Sequence, residues 1–454
     1  MIDEVSASLD FIIEHGKKCV RCGQCRSVCP IFTELKTEGF SPRARIFLAD
    51  LMHRSWRDSA GILGPTADVC SNNDCRNSNL TTQTCVDDNP GDITEKVHIL
   101  EKAWDRTLIC LLCGACSTDC PSKVPVCDII LAARKEHVTH RGRPKLVAEL
   151  SRRIRETRNI AGDNNENRLL WMEELTPIHD PQQHPVAPLG KFQGLVYFTG
   201  CVASLYPGAY KIPRTVTQIM NRVGIEFVLL GGEEWCCGYP LSLMGLDREA
   251  YEILRHNLDK VTSLGAKVLM TGCPSCYYMW KQIIDETHSR LTVIHYTELL
   301  SRIVAEKDVR LRSMEVVATY HDPCDLGRKC GIYDPPRDVL RSISGLVFEE
   351  ITPSRQDARC CGGGGNLEMT DPELSGKVAG ARLNQAAATG AKLIVTACQQ
   401  CARTLSRAAS RISGSHKASG QSGMIPREDA STTGPQRMKV KDIAEILFSC
   451  LPNT

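Results

Sequence analysis

Residues 359–367 read RCCGGGGNL, two adjacent cysteines followed by four glycines. Earlier, residues 235–241 read WCCGYPL, the same cysteine pair with a single glycine. Around each pair the chain repeats itself. The first copy runs Cys201, 34 residues, Cys236–Cys237, 35 residues, then Cys273-x2-Cys276. The second runs Cys324, 35 residues, Cys360–Cys361, 36 residues, then Cys398-x2-Cys401. Gly208, Tyr210, Pro213 and Arg214 follow Cys201 at the offsets by which Gly331, Tyr333, Pro336 and Arg337 follow Cys324. GAKVLMTGCPSC (265–276) mirrors GAKLIVTACQQC (390–401), and IHYTELL (294–300) mirrors VKDIAEIL (440–447). The second half of the chain is a duplicated unit.

Each copy alternates strand and helix patterns. In the first, GLVYFTG reads as a strand, IPRTVTQIMNRVG as a helix, IEFVLL as a strand, REAYEILRHNLDKVTSLG as a helix, KVLMTG as a strand and PSCYYMWKQIIDE as a helix. Such alternation predicts a mainly parallel sheet covered by helices. Cys201, Cys236–Cys237 and Cys273 all follow strands, so each set gathers at the carboxyl ends, where open α/β sheets place their sites. The glycines after the pair let backbone approach inorganic atoms closely and open the next helix. Five thiolates exceed the needs of one cube, and adjacent cysteines suit neighbouring irons of a larger cluster. A vicinal disulfide would be strained and leaves three cysteines unexplained. A zinc site uses four ligands and leaves one over.

The amino-terminal third carries two further runs. CVRCGQCRSVCP supplies Cys19, Cys22, Cys25 and Cys29; CLLCGACSTDCP supplies Cys110, Cys113, Cys116 and Cys120. Each is C-x2-C-x2-C-x3-C-P, the bacterial ferredoxin spacing for [4Fe–4S] cubes, in which the fourth cysteine serves the other cluster. One cube is therefore expected on Cys19, Cys22, Cys25 and Cys120, the other on Cys110, Cys113, Cys116 and Cys29. Structural zinc favours separated C-x2-C pairs and fits these runs less well. The runs lie 80 residues apart, too far for a compact bacterial ferredoxin. SPRARIFLADLMHRSW and DITEKVHILEKAWDRTLI read as helices between them, which predicts a helical two-cluster domain. Cys70, Cys75 and Cys85 sit in a polar stretch. They are read as free thiols on an insertion rather than as an extra metal site completed by His98, because their irregular spacing matches no template. Cys127, Cys330 and Cys450 read as small packing residues.

The 454 residues carry a net charge of +2, so no basic field points to nucleic acid, and no apolar run is long enough to span a bilayer. The start lacks the pattern of a signal peptide, which makes the cytoplasm the expected compartment. Twenty-four cysteines in a reducing compartment argue for metal or redox chemistry. The expected class is α plus α/β: a helical two-cluster domain over 1–160, a polar proline-containing linker over 161–191, and α/β units over 192–310 and 311–454. The last unit carries a Gly/Ser-rich insertion at 413–436 that is expected to be mobile. There is no P-loop and no G-x-G-x-x-G with a following acid, so no flavin or nicotinamide is expected on this chain.

With these motifs the chain resembles the cysteine-rich "CCG" domains of heterodisulfide reductases, and its full order resembles their D-type subunit. The resemblance covers nearly the whole chain. It implies a noncubane [4Fe–4S] cluster on Cys201, Cys236, Cys237, Cys273 and Cys276, and another on Cys324, Cys360, Cys361, Cys398 and Cys401. It implies an iron–sulfur oxidoreductase in which electrons from a flavoprotein or membrane cytochrome b partner pass through two cubes to the paired clusters, which split a disulfide substrate. The related iron–sulfur subunits of glycolate and D-lactate oxidising complexes, and of membrane quinone-linked complexes, imply the alternative of an electron relay. SPRARIFL (41–48) is similar to a segment of the whole group, and both final C-x-x-C motifs are complete, which favours the catalytic type. Asp325 in HDPCDLGR stands where the family implies histidine. His321, Asp325, Arg328, Lys329 and Tyr277 lie near the motifs as candidates for proton or charge partners, and none is assigned a catalytic role.

Overall fold

The computed structural model describes residues 10–59, 100–173, 194–306, 309–418 and 438–452. Cys70, Cys75, Cys85, His98 and most of the expected linker and insertion lie outside the described residues. Two parallel sheets organise the second half. Strands β1 (Leu195–Phe198), β2 (Val268–Thr271) and β3 (Thr292–His295) form one sheet in the order β1-β2-β3. Strands β4 (Val316–His321), β5 (Leu346–Glu349), β6 (Leu393–Thr396) and β7 (Lys439–Asp442) form the other, in the order β5-β4-β6-β7. The central strand β6 is buried along its whole length, as expected for a parallel strand covered on both faces.

Residues 225–230, expected as a strand, contribute only a bridge between Val228 and Val196. Ile225 N–H still closes the preceding helix on Met220 O, and the chain turns at Gly231–Glu233, so little more than Val228 is free to pair. The matching segment of the second copy pairs over four residues as β5.

The repeat is visible in the caps. His295 and Asp442 end β3 and β7, and each opens a helix with a capping box, completed by Glu298 and Glu445 respectively. The two units then pack reciprocally. The first unit's Lys211–Arg222 helix lies on the second unit's Ile443–Cys450 helix, and the corresponding second-unit helix Asp334–Arg341 lies on Tyr296–Ala305. One core runs through this contact and includes Val216, Ile219, Leu300, Val339, Ile443 and Leu447. Reciprocal packing of equivalent surfaces has pseudo-two-fold geometry. Tyr296 O–H also donates to Asp442 at 2.8–2.9 Å across the boundary.

The amino-terminal third is helical. Helix Pro42–Ser59 packs on Val126–Arg141, burying Ile46, Ala49, Ile129, Ile130 and Ala133. Buried Arg134 sews this part to the first α/β unit, donating to Leu243 O (2.6 Å) and Thr107 O (2.6 Å). The expected linker begins later than its sequence suggests. Residues Asn165–Met172 form a 3₁₀ helix whose Arg168 and Trp171 are fully buried against the first unit, so this segment belongs to the unit's core. Among the described residues, no helix is long and apolar enough to cross a membrane.

Candidate metal centres

The two ferredoxin-type runs interlock. Cys19, Cys22 and Cys25 line one small cavity together with Cys120 from the other run. Cys110, Cys113 and Cys116 line a second with Cys29. Each fourth cysteine is thus exchanged between runs. Cys29 caps the short helix Pro30–Leu35, whose proline redirects the chain at once. Buried Arg45, in the SPRARIFL segment, bonds Arg106 O (3.0 Å) and Ile109 O and points Nη1 at Cys29 Sγ (3.9 Å). Cys127 lies in the second cavity too, in hydrogen-bonding contact with Cys116. Read from sequence as a small packing residue, Cys127 packs directly against the cysteines of the second run. Its placement follows from helix Val126–Arg141 starting at the cavity wall. Cys450 is buried in the core between the α/β units, and Cys330 is half-buried beside Lys329.

In each α/β unit the five cysteines converge at the carboxyl ends of the strands. Cys201 opens the short helix after β1, and Cys273 caps the helix after β2, with Cys276 in its first turn. Cys401 sits likewise in the first turn of Gln399–Ala418. Helix amino termini favour thiolates at these positions. Contacts with Cys236 and then Cys276 pull Cys237 down to about 6, and Cys276 is pushed up correspondingly. Contacts with Cys360 and then Cys401 pull Cys361 well below the usual thiol value, with Cys361 and Cys401 sulfurs 3.2 Å apart.

The two sets face one another. A single cavity of about 130 Å³ is lined by all five cysteines of the first set and by Cys324, Cys361, Cys398 and Cys401 of the second. Asp325 joins the walls: it accepts from Tyr239 O–H (3.0 Å) and Ser275 Oγ (2.7 Å) of the first unit and pairs with Lys329 (3.0 Å). Lys329 also bonds Tyr239 O–H. Burial opposes the charge of Lys329, but Asp325 and Tyr239 more than offset it and hold its pKa well above the usual range. Fully buried Gln399 crosses the same boundary, donating to Thr199 O (2.7 Å) and accepting from Ala203 N–H (3.0 Å).

The four glycines answer a packing demand that one glycine does not meet. Gly238 and Gly362, each directly after a cysteine pair, have φ of +82° and +89°, which glycine adopts freely. The last two glycines, Gly364 and Gly365, approach the second ferredoxin-type run: a Cβ on Gly365 would lie 2.1 Å from Cys110 O and 2.7 Å from Leu111 Cα. The close approach is to protein backbone at this point. It brings Cys360 into hydrogen-bonding contact with Cys113, which this contact lowers to about 6. Arg328 staples the junction, donating to Cys113 O (2.6 Å), Gln356 O (2.9 Å) and Ala358 O (2.7 Å).

Of the sequence candidates, Asp325 lines the shared cavity and Lys329 supports it from behind, while Arg328 serves the junction. Tyr277 is buried against His295, with ring centroids 6.2 Å apart, and is not among the cavity residues. His321 lies with Cys361 and Cys401, the three ligand-type atoms within 4.8 Å of one another. Arg168 carried no sequence signal. It donates to Cys201 Sγ (3.1 Å) and Ser204 Oγ (3.0 Å) and pairs with buried Glu234 (2.7 Å), whose carboxylate accepts from Thr199 and Gly200 N–H (2.8 Å each). The donor sets fit iron–sulfur groups: soft sulfur ligands crowd together at four places, the ferredoxin spacing occurs twice, and buried His321, whose ring lies beside Cys361 and Cys401, keeps an Nε2 with no hydrogen-bond partner.

A family model for the cysteine-rich domain (CCG) matches residues 195–281 and 318–406, one match per α/β unit. The D-type subunit of the dihydromethanophenazine:CoB–CoM heterodisulfide reductase of Methanosarcina barkeri is 30% identical over 406 residues, spanning 86% of this chain and 88% of that protein. Its namesake from Methanosarcina mazei is 29% identical over 401 residues, spanning 85% and 87%. The EtfAB:quinone oxidoreductase of Syntrophomonas wolfei is 26% identical over 445 residues, 95% of this chain but 58% of that protein. Duplicated CCG units behind an interlocked pair of ferredoxin-type runs, with relatives aligned along most of both chains, make this chain a member of the family of heterodisulfide reductase D-type subunits and related iron–sulfur oxidoreductases.

Proposed function

We propose that this redox subunit reduces a disulfide held in the cavity between its two five-cysteine sets. The observation that carries the reading is that cavity: one space, walled by cysteines of both CCG units. In this reading Cys19, Cys22, Cys25 and Cys120 hold one cubane cluster, and Cys29, Cys110, Cys113 and Cys116 the other. Cys201, Cys236, Cys237, Cys273 and Cys276 hold one noncubane cluster, and Cys324, Cys360, Cys361, Cys398 and Cys401 its twin. Clusters at these places would supply electrons singly, in a number matched to the two that an S–S bond takes up along with two protons to give two thiols.

The chain's own side chains do the rest. Leu243, Val202 and Ile160 give the cavity an apolar side, while Tyr239, Ser275 and Asp325 give it a polar one. A bound disulfide is thereby oriented, with its polar end on the Asp325 side and its sulfurs against the cysteine walls. Exposed Cys22, beside the 69% exposed Val20, marks where an electron-donating partner, flavoprotein or membrane cytochrome b, approaches the first run. The Cys113–Cys360 contact supports arrival of electrons at the second CCG unit.

The similarity to the EtfAB:quinone oxidoreductase favours a second reading, an electron relay between a flavoprotein and a quinone partner. Transient reduction of the full chain followed by mixing with candidate disulfides separates the two. Reoxidation of the CCG centres by a disulfide, blocked in Cys237→Ser and Cys361→Ser alike, is expected. Reoxidation only by a flavoprotein or a quinone would establish the relay.

A further inference from the structure

The two CCG units carry their cysteines in matched register, yet one pair of positions close to the second set changes character between them. In the second unit His321 ends β4, and Arg382 reaches it from helix Pro372–Ala387. In the first unit the same positions in register hold Phe198, at the end of β1, and Leu258. Phe198 packs edge-on against Trp280 (5.5 Å between centroids), and Leu258 is buried. An apolar pair has become a polar one beside one cysteine set only.

The polar pair fixes a proton. Arg382 Nε donates to His321 Nδ1 at 3.1 Å. A guanidinium has no acceptor, so Nδ1 must present its lone pair and the ring's hydrogen must sit on Nε2. Nε2 is left without a hydrogen-bond partner, in a residue that is 1% exposed and whose ring lies beside Cys361 and Cys401, a ring nitrogen and the two sulfurs within 4.8 Å of one another. The tautomer has a second consequence. Metal ligation through Nε2 would need its lone pair there and the hydrogen on Nδ1, which would set two donors against each other at the Arg382 contact. His321 therefore has an N–H, not a lone pair, to offer the neighbouring sulfur centre.

Charge adds to the effect. Arg382 is bonded to His321 and to Gln385 (2.9 Å), both neutral, and its Nη2 has no partner. The first unit's arginine, Arg168, touches Cys201 but is neutralised by Glu234. Hydrogen bonds to cluster sulfurs and net local charge are among the levers that set a cluster's potential. An N–H donor and a buried cation close to the cysteines both stabilise the more negative, reduced form.

We propose that His321, oriented by Arg382, is a positioning residue that makes the centre on Cys324, Cys360, Cys361, Cys398 and Cys401 the more oxidising of the two CCG centres. The inference rests on the reading that each CCG unit holds an iron–sulfur centre. It assigns an order to the pair: an electron entering across the Cys113–Cys360 contact resides on the second unit until the cavity contents accept it.

The test is a redox titration of the anaerobically purified full-length chain, read by cluster-resolved electron paramagnetic resonance together with iron content. In wild type the second CCG centre should be reduced before the first. His321→Phe, which installs the first unit's residue, should retain its iron. Its second-centre reduction equilibrium should fall at least tenfold, which is about 59 mV for a one-electron couple. The first centre should not move. His321→Gln, which keeps an N–H donor, should restore most of the shift. Arg382→Met, which frees the tautomer, should fall between wild type and His321→Phe. An unmoved second centre in His321→Phe, an equal shift at both centres, or loss of iron in both His321 variants would overturn the inference while leaving the wild-type signals intact. A wild-type chain without two CCG signals would instead remove the reading beneath it.

Discussion

Arg168→Met isolates the side chain that the sequence hid best. Arg168 and Glu234 are both buried, at 1% and 2% side-chain exposure, so the pair is shielded from solvent. Removing one partner of a buried pair strands the other charge and typically costs about 3–5 kcal/mol. Glu234 keeps four bonds after the change, from the N–H groups of Thr199 and Gly200 and from the Thr199 hydroxyl to both oxygens, which places the expected cost near the lower end. About 3 kcal/mol corresponds to somewhat more than a hundredfold in a local opening equilibrium. Amide hydrogen exchange at Tyr197, Thr199 and Gly200 reads that opening where the pair sits and needs no two-state assumption for a chain with several cores. Burial already raises Glu234 above the usual carboxylate value against the opposing pull of Arg168. Without Arg168 the carboxyl takes up a proton more readily, so the loss should be larger at pH 8 than at pH 6. Arg168→Met with Glu234→Gln leaves no stranded charge and should recover at least half of it. Exchange changed less than threefold in the single variant, or a double variant as impaired as the single, would refute the account of Arg168 as a charge-balanced support for Cys201.

Iron analysis of anaerobically purified chain should give about sixteen irons from four four-iron clusters, and about eight with free CCG thiols would contradict the proposed ligand sets. Cys29→Ser should damage the centre on Cys110, Cys113 and Cys116 and spare that on Cys19, Cys22 and Cys25, as cluster-resolved spectroscopy would show. Gly365→Ala should cost roughly 2–4 kcal/mol from its left-handed backbone and the collision with Cys110 O, seen as faster exchange on both sides of the Cys110–Gly365 junction. Burial raises Asp442 to about 7, so the native state holds a proton there that the unfolded chain releases near 3.8. Its contribution is therefore full below pH 4 and lost as pH rises through 7, a window worth about 4 kcal/mol at 1.36 kcal/mol per pH unit. Asp442→Asn should flatten that stretch of the stability profile, and an unchanged slope between pH 5 and 7 would argue against it.

The sheets and the convergence of the cysteines were legible because both follow from short-range signals. Alternating apolar runs place β1, β2, β4 and β6, and the cysteines sit where those runs stop. IEFVLL carried the same signal and yielded one bridge, because helix closure at Ile225 and the turn at Gly231 compete for its backbone. Arg168 was not legible. It stands in a polar, asparagine-rich stretch, and only the fold carries it to Cys201, thirty-three positions away. That Cys127 packs at the second cavity was not legible either, since its place depends on how helix Val126–Arg141 docks.

Duplication itself hides what the site needs. Matching the copies by their cysteines makes them look equivalent, and for the ligand scaffold they are: pair, following glycine and helical C-x2-C recur in step. The contacts that build the cavity wall fall where the copies differ. Asp325 answers Val202, Tyr239 answers Gly363, Gln399 answers Pro274, and His321 answers Phe198. Each of the first three bonds across the boundary between units, so each serves the junction of the two copies. A symmetric pair of units would present the same wall to both ends of a bound molecule. Placing the Asp325 carboxylate and its Lys329 partner on the second unit, with no counterpart at Val202 in the first, makes the shared cavity asymmetric although the cysteine scaffold around it is duplicated.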